Sequence, residues 1–321
     1  MGKFKISILE RENIKDYKKW QTLLNSADGA TIFHNLDFLS YHKDRFKENH
    51  IGVFKGEELF GVMPLAISNK EKKVAKSPYG ASYGGFIFKN NLTYSSSKEI
   101  AKLIKEFLKQ NNISSMVITP PLEIYYKNSS QTFNFALLES GFKIVNADIT
   151  SVVPLSNNID LEKSIFTSKL RNILRKAEKN GIEIINRASI DDFWILMEDT
   201  FNRHGVLPTH TKDELIYLNQ KFPDKIYFNV AYINKIPVAG ICIFTINSLV
   251  DMSFYLCSNS KYKQTQALSL LVANTIKESQ KKGFRYFDFG TSSVNMIGKE
   301  NIFKFKESFG AIGKFRFTYR L

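Results

Sequence analysis

The amino-acid sequence predicts a mixed α/β protein built from two similar halves. The chain has 321 residues. A chain of this length is usually too long for a single hydrophobic core, so two domains of roughly 150 residues are expected. In each half, strand-like runs joined by short turns lead into an amphipathic helix and then another strand, which is a mixed α/β order. The second helix and strand, predicted over 267–280 and 284–289, follow their counterparts over 99–110 and 115–119 by about 170 positions. This spacing indicates internal duplication.

The first half opens with a hairpin. Apolar runs over 50–54 and 59–67 flank a polar turn at Lys55, Gly56, Glu57 and Glu58. Ser96 and Glu99 predict a capping box at the start of the first long helix. The remaining predicted elements of this half are a strand over 83–88, the strand over 115–119, a helix over 133–140 that ends at Gly141, and a long strand over 142–155.

The second half repeats this order. Its predicted elements are strands over 227–233, 237–246 and 249–258, the helix and strand described above, and a last strand over 314–321. We expect that last strand to return to the first domain, which gives domains of 1–155, completed by 314–321, and 156–313. No Pro-, Gly- or Ser-rich linker separates the halves, so an extensive interface with a cleft between the domains is expected to hold the site.

A basic helix is predicted between the halves, over 159–180. Its apolar stripe has helical spacing and consists of Phe166, Leu170, Ile173, Leu174 and Ala177. Arg171, Arg175 and Lys179 rise from one face, with Lys176 close by, and such stacking of like charges favours an anionic partner. A solvated surface explains the same pattern.

Net charge, the spacing of cysteine and histidine, and the length of the apolar runs indicate which partners and sites to expect. Lysine and arginine exceed aspartate and glutamate to give a net charge of +14, which favours pyrophosphates, RNA or an acidic membrane surface as partners. Cys242 and Cys257 have neither disulfide nor metal-ligand spacing, and the five histidines lack such spacing too, so no metal is expected. No run approaches the length of a membrane span, and a cytoplasmic protein with transient contact to the inner membrane face is expected.

The stretch over 281–310, KKGFRYFDFGTSSVNMIGKENIFKFKESFG, carries the chemistry. No nucleophile elbow, phosphate loop, dinucleotide fingerprint or zinc-protease motif occurs in the chain. Transfer of an activated acyl group to an amine remains, because it needs little more than alignment and one cation near the developing oxyanion. Lys306, which follows Phe305 and is expected to be shielded by Phe303 and Phe309, is the candidate cation. The alternative is a surface lysine paired with Glu307.

These residues resemble the C-terminal signature of the FemABX peptidyltransferases and related FemAB-like acyltransferases of the GNAT superfamily. The resemblance implies two tandem GNAT-like domains and a catalytic lysine in an FK-x-x-FG pattern, which falls on Lys306. It also implies an aspartate at the preceding strand end, Asp288, that orients the lysine or accepts the amine proton. Capping of the following loop is the alternative for Asp288.

The resemblance extends over most of the chain. It implies contact with substrate phosphates for Arg171 or Arg175 in the basic helix beside Lys176, and it matches Arg203 and His204 to a T-x-x-R-H-G segment. Phe305 belongs to the FK-x-x-FG pattern as a substrate-binding candidate. Weaker matches are residues 33–38 and the glycine-rich segment 79–85, where Tyr83 offers a hydroxyl beside a ligand or the glycines merely form a turn.

The implied function is transfer of an aminoacyl group from aminoacyl-tRNA, or of an acyl group, onto an amine of a cell-envelope precursor such as a peptidoglycan precursor. Residues 261–266 lack the loop that typically holds the coenzyme A pyrophosphate, which favours aminoacyl-tRNA as donor co-substrate. The alternative is an acyl-CoA- or acyl-carrier-dependent N-acyltransferase that acts on a nucleotide-linked amino sugar. The expected acceptor is an anionic nucleotide-linked or lipid-linked precursor, tRNA is a further expected partner, and no resident cofactor is expected.

A non-catalytic RNA-binding module is a third hypothesis. The aromatic residues argue against it, because they follow core-like periodicities and do not form a platform on which bases stack.

Overall fold

The computed structural model describes residues 3–68 and 73–321. The chain divides into two compact units, Met1–Asp148 with Phe315–Leu321 and Ile149–Lys314. Among the described residues, no helix combines the length and the apolar character that crossing a lipid bilayer requires.

The first unit contains two groups of strands and two principal helices. Its elements are β1 (Phe4–Leu9), α1 (Ile14–Ser26), α2 (Leu36–Leu39), β2 (Lys47–Glu48), β3 (His50–Lys55), β4 (Glu58–Met63), β5 (Ala66–Ile67), β6 (Val74–Ser77), β7 (Ile87–Phe88), α3 (Tyr94–Gln110), β8 (Ser115–Ile118) and α4 (Thr132–Glu139). Strands β1, β3, β4 and β7 form an antiparallel sheet, and β6 lies parallel to β8. The buried face of α3, which includes Ile100, Ile104 and Phe107, packs into the core of this unit.

The second unit is built on a long antiparallel meander. After β9 (Lys143–Pro154), its elements are α5 (Leu161–Ser164), α6 (Ser168–Ala177), β10 (Glu183–Ile185), α7 (Ile190–His204), α8 (Lys212–Lys221), β11 (Ile226–Ile233), β12 (Ile236–Thr245), β13 (Val250–Ser258), α9 (Ala267–Lys281), β14 (Tyr286–Thr291), β15 (Ser293–Val294), β16 (Ile297–Gly298), α10 (Glu300–Ser308) and β17 (Ile312–Arg320). Strands β10 to β13 pair antiparallel in sequence order, β14 lies parallel to β13, and residues 150–154 of β9 pair with the other side of β14. The end of β17 returns to the first unit, where Tyr319 pairs with Ile118 of β8.

The strands of the meander and helices α6 and α9 enclose one core. Leu170 and Leu174 of α6, Leu271 and Ile276 of α9, and Phe287 of β14 are buried in it. Cys242 and Cys257 are also buried, and both are free thiols. Burial raises the pKa of both thiols well above the usual range. The predicted mixed α/β class is confirmed, and the order of hairpins, helix and strand recurs as α3–β8 and α9–β14.

The basic helix differs from its prediction, because it is broken. Expected over 159–180, it forms the short α5 and the separate α6. Phe166 turns into the core between them, and Thr167 adopts an extended conformation from which its side chain accepts a hydrogen bond from the Leu170 N–H. This N-cap starts a new helix. Gly181, with φ of +64°, follows the last helical turn, as predicted.

Three predictions in the first half also differ from the structure. The capping box at Ser96 and Glu99 was wrong, because α3 begins at Tyr94 with Thr93 as its N-cap, and Glu99 instead accepts a hydrogen bond from the Phe4 N–H. The strand expected over 83–88 shortens to β7, because Gly85 has a φ of +81° and its N–H bonds to the Ser77 hydroxyl. The run over 59–67 splits into β4 and β5 at Pro64, which lacks an N–H for the ladder.

Gly310 provides a test of the local packing that ends α10. Its φ is +78°, and a Cβ there would lie 2.1 Å from Cγ2 of Ile165. Gly283, with φ of +85°, has nothing within 4 Å of the same position. Gly283→Ala should therefore cost only the left-handed backbone, about 1–2 kcal/mol, whereas Gly310→Ala should cost about 1–3 kcal/mol more because it also overpacks the core. Urea unfolding of both variants measures the difference, and equal losses would show that Ile165 yields without penalty.

Candidate active site

The candidate site lies where β13 and β14 separate. These parallel strands pair at Val250 with Tyr286, at Asp251 with Phe287 and at Met252 with Asp288. Strand β13 then continues to Ser258 and β14 to Thr291, and within the described chain they share no further register. The parallel strands therefore diverge after Met252 and Asp288, toward their carboxyl ends.

Lys306 is buried beside this opening, on α10. Its side chain is 5% exposed, and Nζ donates to the carbonyl oxygens of Gly290 (2.9 Å) and Thr291 (2.7 Å) at the end of β14. The neighbouring Phe305 packs against Phe309, with ring centroids 5.2 Å apart, and against Phe289. These rings lie on the same helix and strand end as the ammonium, and Lys306 itself is withdrawn from solvent. The alternative of a surface lysine paired with Glu307 is therefore excluded by burial.

Burial lowers the pKa of Lys306 to about 8, and the nearby Asp288 carboxylate opposes part of that shift. The side chain is therefore mostly an ammonium at neutral pH and gives up its proton in mildly alkaline solution. Its pKa in the unfolded chain is close to the ordinary 10.5, so the unfolded chain binds more protons between about pH 8 and 10.5. Below about pH 8, burial of the charged Lys306 therefore lowers the free energy of unfolding. As pH rises from about 8 to 10.5, the free energy of unfolding increases.

Asp288 is fully buried on β14 and serves the turn that supplies the lysine's acceptors. Its Oδ1 accepts hydrogen bonds from the Gly290 N–H (2.7 Å) and from the Thr150 hydroxyl (3.1 Å). Gly290 has a φ of +71°. The carboxylate therefore holds the turn whose carbonyls receive Lys306, while its charge also acts on the ammonium. The structure brings Asp288 and Lys306 together as one unit, and their roles in catalysis stay predictions.

Sequence reasoning missed the hydroxyl groups that surround Asp288. Thr150 on β9 is fully buried and bonds to Asp288, and Ser151 is 2.6 Å from Ser292 through their hydroxyl oxygens. The Ile149 N–H donates to the Ser293 hydroxyl. The available signal was the polar pair Thr150 and Ser151 in the buried second half of β9. Such groups are kept in a core only when they are hydrogen-bonded.

The basic residues of α6 have different surroundings. Arg171 is partly buried, and its Nη1 donates to the carbonyl oxygens of Phe166 (2.6 Å) and Glu162 (3.1 Å), where α5 ends. Arg175 is exposed and reaches Asn172, and Lys176 is exposed as well. These bonds hold the Arg171 side chain at the break between the helices, and its contact with a substrate phosphate stays a prediction. Phosphate binding by Arg175 and Lys176 stays a prediction.

Arg203 and His204 lie at the end of α7. The Arg203 guanidinium donates to the carbonyl of Ser258, the last residue of β13, at 3.0 Å, and His204 is exposed. Thr200 of the same segment accepts from the Ser258 N–H. These contacts hold the end of α7 against the end of β13, on the side where β13 and β14 separate.

Tyr83 lies in the first unit and is buried. Its ring packs on Phe33 and Tyr125, and the Arg316 guanidinium lies 5.3 Å from its centroid. In the same glycine-rich segment, a Cβ on Gly80 would lie 2.0 Å from the His42 ring. The close backbone approach that these glycines permit is thus made to the protein's own side chains. A ligand-facing role for Tyr83 stays a prediction.

The first unit also holds a polar cluster that the sequence did not reveal. The Glu48 carboxylate accepts from Arg11, from the Tyr79 hydroxyl (3.0 Å) and from His50 Nε2 (3.1 Å). Burial tends to raise the pKa of Glu48, but the hydrogen bond and charge of His50 and the charge of Arg11 outweigh it, and the pKa is lowered. The cluster fastens the start of the glycine-rich segment to β2 and β3.

No set of three or more His, Cys, Asp or Glu side chains within residues 3–68 and 73–321 is grouped to hold a metal ion. Helix α9 starts at Ala267 after Gln266, whose φ is +59°, and Lys261 and Lys263 precede it on exposed turns. These lysines and the first N–H groups of α9 are the residues suited to a phosphate group.

Comparison with known proteins identifies the fold. No protein-family model and no curated protein sequence matches this chain. FemX matches in structure with a TM-score of 0.71 and 13% identity, over 95% of both chains. A tandem GNAT protein from the clavulanic acid biosynthesis pathway matches with a TM-score of 0.57 and 10% identity, over 99% of this chain and 98% of that one. The C-terminal domain of a putative lysylphosphatidylglycerol synthetase from Agrobacterium fabrum matches with a TM-score of 0.59 and 9% identity, over 96% of this chain and 92% of that one.

These likenesses define a protein with a tandem GNAT fold. The particular fold is that of FemX, which confirms the FemABX-like architecture predicted from the FK-x-x-FG stretch and the repeated halves.

The contacts of Arg171 and Arg175 make their functions separable. Arg171→Met should lower the free energy of unfolding by about 1.5–3 kcal/mol, because it removes a charged donor from two carbonyls. Arg175→Met should leave stability nearly unchanged and, if Arg175 binds a substrate phosphate, should raise KM with little change in kcat. Chemical denaturation and steady-state kinetics of both variants test this. A stable Arg171→Met protein would contradict the structural assignment.

Proposed function

We propose that this protein is an acyltransferase of the aminoacyl-transferring kind, acting on an amine of an anionic cell-envelope precursor. The observation that carries the proposal is the buried Lys306 ammonium at the opening between β13 and β14. The FemX fold and its likeness to a putative lysylphosphatidylglycerol synthetase support the class of reaction. Peptidoglycan precursors are the proposed acceptors, and aminoacyl-tRNA is the proposed donor.

The chemistry follows from the donors available on Lys306. An ammonium has three N–H donors, and the carbonyls of Gly290 and Thr291 receive two hydrogen bonds from it. We assign the third to the substrate. The acceptor amine attacks the ester carbonyl of the donor, a C–N bond forms, and the carbonyl oxygen becomes an oxyanion that the ammonium stabilises. Collapse re-forms the carbonyl, the C–O bond breaks, and the ribose hydroxyl leaves with a proton, while the amine loses one.

Burial determines how strongly Lys306 acts. Lys306 is buried, so the interaction of its ammonium with a developing negative charge is weakly screened. A pKa of about 8 keeps the charge present at neutral pH and also makes proton donation to a leaving group easier than from an ordinary lysine. The same side chain can therefore stabilise the oxyanion and supply a proton to the departing oxygen.

Replacement of Lys306 tests the central assignment. Lys306→Met should fold, because it replaces a buried cation by an apolar side chain of similar length, and should lower kcat by about 100- to 1000-fold. Lys304→Met is the matched control, since Lys304 is exposed on the same helix and pairs only with Glu300 within the described residues. Single-turnover transfer from aminoacyl-tRNA to a nucleotide-linked peptide precursor gives the readout. Full activity of the Lys306→Met protein would remove Lys306 from the mechanism.

The pH profile distinguishes an ammonium from a base. If the charged form acts, transfer should decline above about pH 8, where Lys306 loses its proton. Asp288→Asn retains an oxygen for the Gly290 N–H and Thr150 but removes the charge that raises the pKa of Lys306, so the alkaline limb should move to lower pH. An activity that rises through pH 8 would instead identify Lys306 as a base, and an unmoved limb in Asp288→Asn would exclude the electrostatic coupling.

An acyl-CoA donor is the second candidate, favoured by Lys261 and Lys263 before the first N–H groups of α9. This candidate acts on a nucleotide-linked amino sugar. Calorimetric titration with coenzyme A and acetyl-CoA separates the two donors. One-to-one saturable binding supports the thioester donor, and its absence leaves aminoacyl-tRNA as the donor.

A further inference from the structure

Three connections follow element ends at one edge of the second-unit sheet. Strands β13 and β14 run parallel, so their carboxyl ends face the same edge. The turn between β11 and β12 reaches this edge, because Ala239 near the start of β12 pairs with Ser258 at the end of β13. The loop after α7 reaches it through the bond from Arg203 to the Ser258 carbonyl, and the β15–β16 hairpin follows directly from β14. We call this region the carboxyl edge.

The tip of the β15–β16 hairpin carries a methionine, Met296, at a turn position that usually holds glycine. Asn295 and Met296 form a two-residue connection, and both have positive φ, +51° and +62°. Such turns favour Asn-Gly, because glycine adopts this conformation without strain. Methionine at the second position costs about 1–2 kcal/mol, and its side chain remains 62% exposed. Exposure of an apolar side chain at a strained turn position makes Met296 a candidate for contact with a partner.

Other apolar side chains are exposed along the same edge. Ile297 and Val294 flank Met296 and are 64% and 55% exposed. Leu207, in the loop after α7, is 91% exposed, and Ile236 lies exposed at the start of β12. Single exposed apolar residues are ordinary. Their concentration on loop tips at one edge is typical of an interaction surface.

Exposed lysines surround these tips. Lys235, Lys261, Lys263 and Lys299 all lie on the connections at the carboxyl edge. Of the acidic groups there, Asp199 bonds to Ser260 and Arg203, and Glu300 pairs with Lys304 at 2.5 Å. Glu183, which pairs with Tyr232 near the end of β11, is exposed and offsets part of the positive charge of the lysines. Apolar tips within a basic rim are complementary to an anionic lipid surface, where aliphatic groups enter the headgroup region and each lysine contributes about 1 kcal/mol. RNA would suit the lysines but would leave the aliphatic tips without partners, because single strands are bound by aromatic stacking.

We propose that the carboxyl edge docks on an anionic membrane surface, with Met296, Ile297 and Leu207 entering the headgroup region. The purpose of such docking rests on the proposed function. Thr291, whose carbonyl accepts a hydrogen bond from Lys306, lies just before β15, so the hairpin and the buried ammonium are close along the chain. Docking would thus bring the buried ammonium to the depth at which the polar head of a lipid-linked acceptor lies.

Vesicle sedimentation tests the docking without any substrate. Vesicles of phosphatidylcholine with phosphatidylglycerol should bind the protein, pure phosphatidylcholine vesicles should bind it weakly, and salt should weaken binding. Met296→Ser with Ile297→Ser should lower the affinity about tenfold or more, as two apolar groups are lost. Ile159→Ser is the matched control: Ile159 is 40% exposed, and its carbonyl bonds to Gln280 near the end of α9, away from the carboxyl edge. It should bind as the unmodified protein does.

Met296→Gly separates membrane binding from folding. Glycine relieves the strained turn, so this variant should unfold at higher urea concentration and yet bind anionic vesicles more weakly. A variant that gains stability and keeps full vesicle affinity would overturn the proposal. So would absence of binding by the unmodified protein, or equal binding to neutral vesicles.

Two further outcomes assign the surface to another partner. If the protein self-associates without lipid and the serine variant is monomeric by light scattering, the edge is a contact between copies. If tRNA binding, rather than vesicle binding, is lost in the serine variant, the edge is an RNA surface. Either result overturns the docking proposal. Lys306→Met should bind vesicles normally while losing turnover, so failure of the docking and failure of the proposed reaction are observed separately.

Discussion

The bonds from the Lys306 ammonium to the carbonyls of Gly290 and Thr291 are the interaction on which the candidate site depends. They join α10 to the end of β14 and fix where a positive charge lies beside the strand opening. A buried cation needs acceptors, and backbone carbonyls satisfy it without neutralising its charge. A carboxylate in direct contact would quench the field that a developing oxyanion requires. Asp288 acts from behind the turn and raises the pKa only in part.

This arrangement also explains the turn itself. Gly290 adopts a left-handed conformation because Asp288 holds its N–H, and that conformation presents successive carbonyls to one lysine. Asp288 thus caps the following loop, which was one of the two interpretations that the sequence offered, and its charge raises the pKa of Lys306. Orientation of the lysine or acceptance of the amine proton by Asp288 stays a prediction. Its hydrogen bond from Thr150 further ties β9 to the same turn.

Much of the fold could be predicted from the sequence, because the relevant signals are local. Apolar alternation and polar turns predicted the β11–β13 meander closely, and Gly181 correctly ended the basic helix. The prediction failed where a tertiary contact overrode a local pattern. Periodicity alone made 159–180 one helix, but burial of Phe166 and the Thr167 cap divided it. Arg171 belonged to a pattern that favoured an anion, yet two carbonyls exposed by that break bind its guanidinium.

The candidate site was predictable only in part for the same reason. Lys306 and Asp288 could be singled out from their motif, and their proximity confirms that the stretch forms one unit. The hydroxyl groups of Thr150, Ser151 and Ser292 are brought together by strand pairing between distant segments. No spacing in the sequence encodes that register. The exposed tip at Met296 was equally hidden, because an Asn-Met pair is an unusual hairpin turn.

The burial of Cys242 and Cys257 has a consequence for how the protein tolerates its surroundings. Both thiols lie in the core with raised pKa values, so neither forms the reactive thiolate readily. Reagents that alkylate thiols therefore find no reactive cysteine in the native chain. A single cysteine introduced at any surface position would be the one site that takes up a maleimide label, which makes the protein suited to site-directed spectroscopy without prior removal of its own thiols.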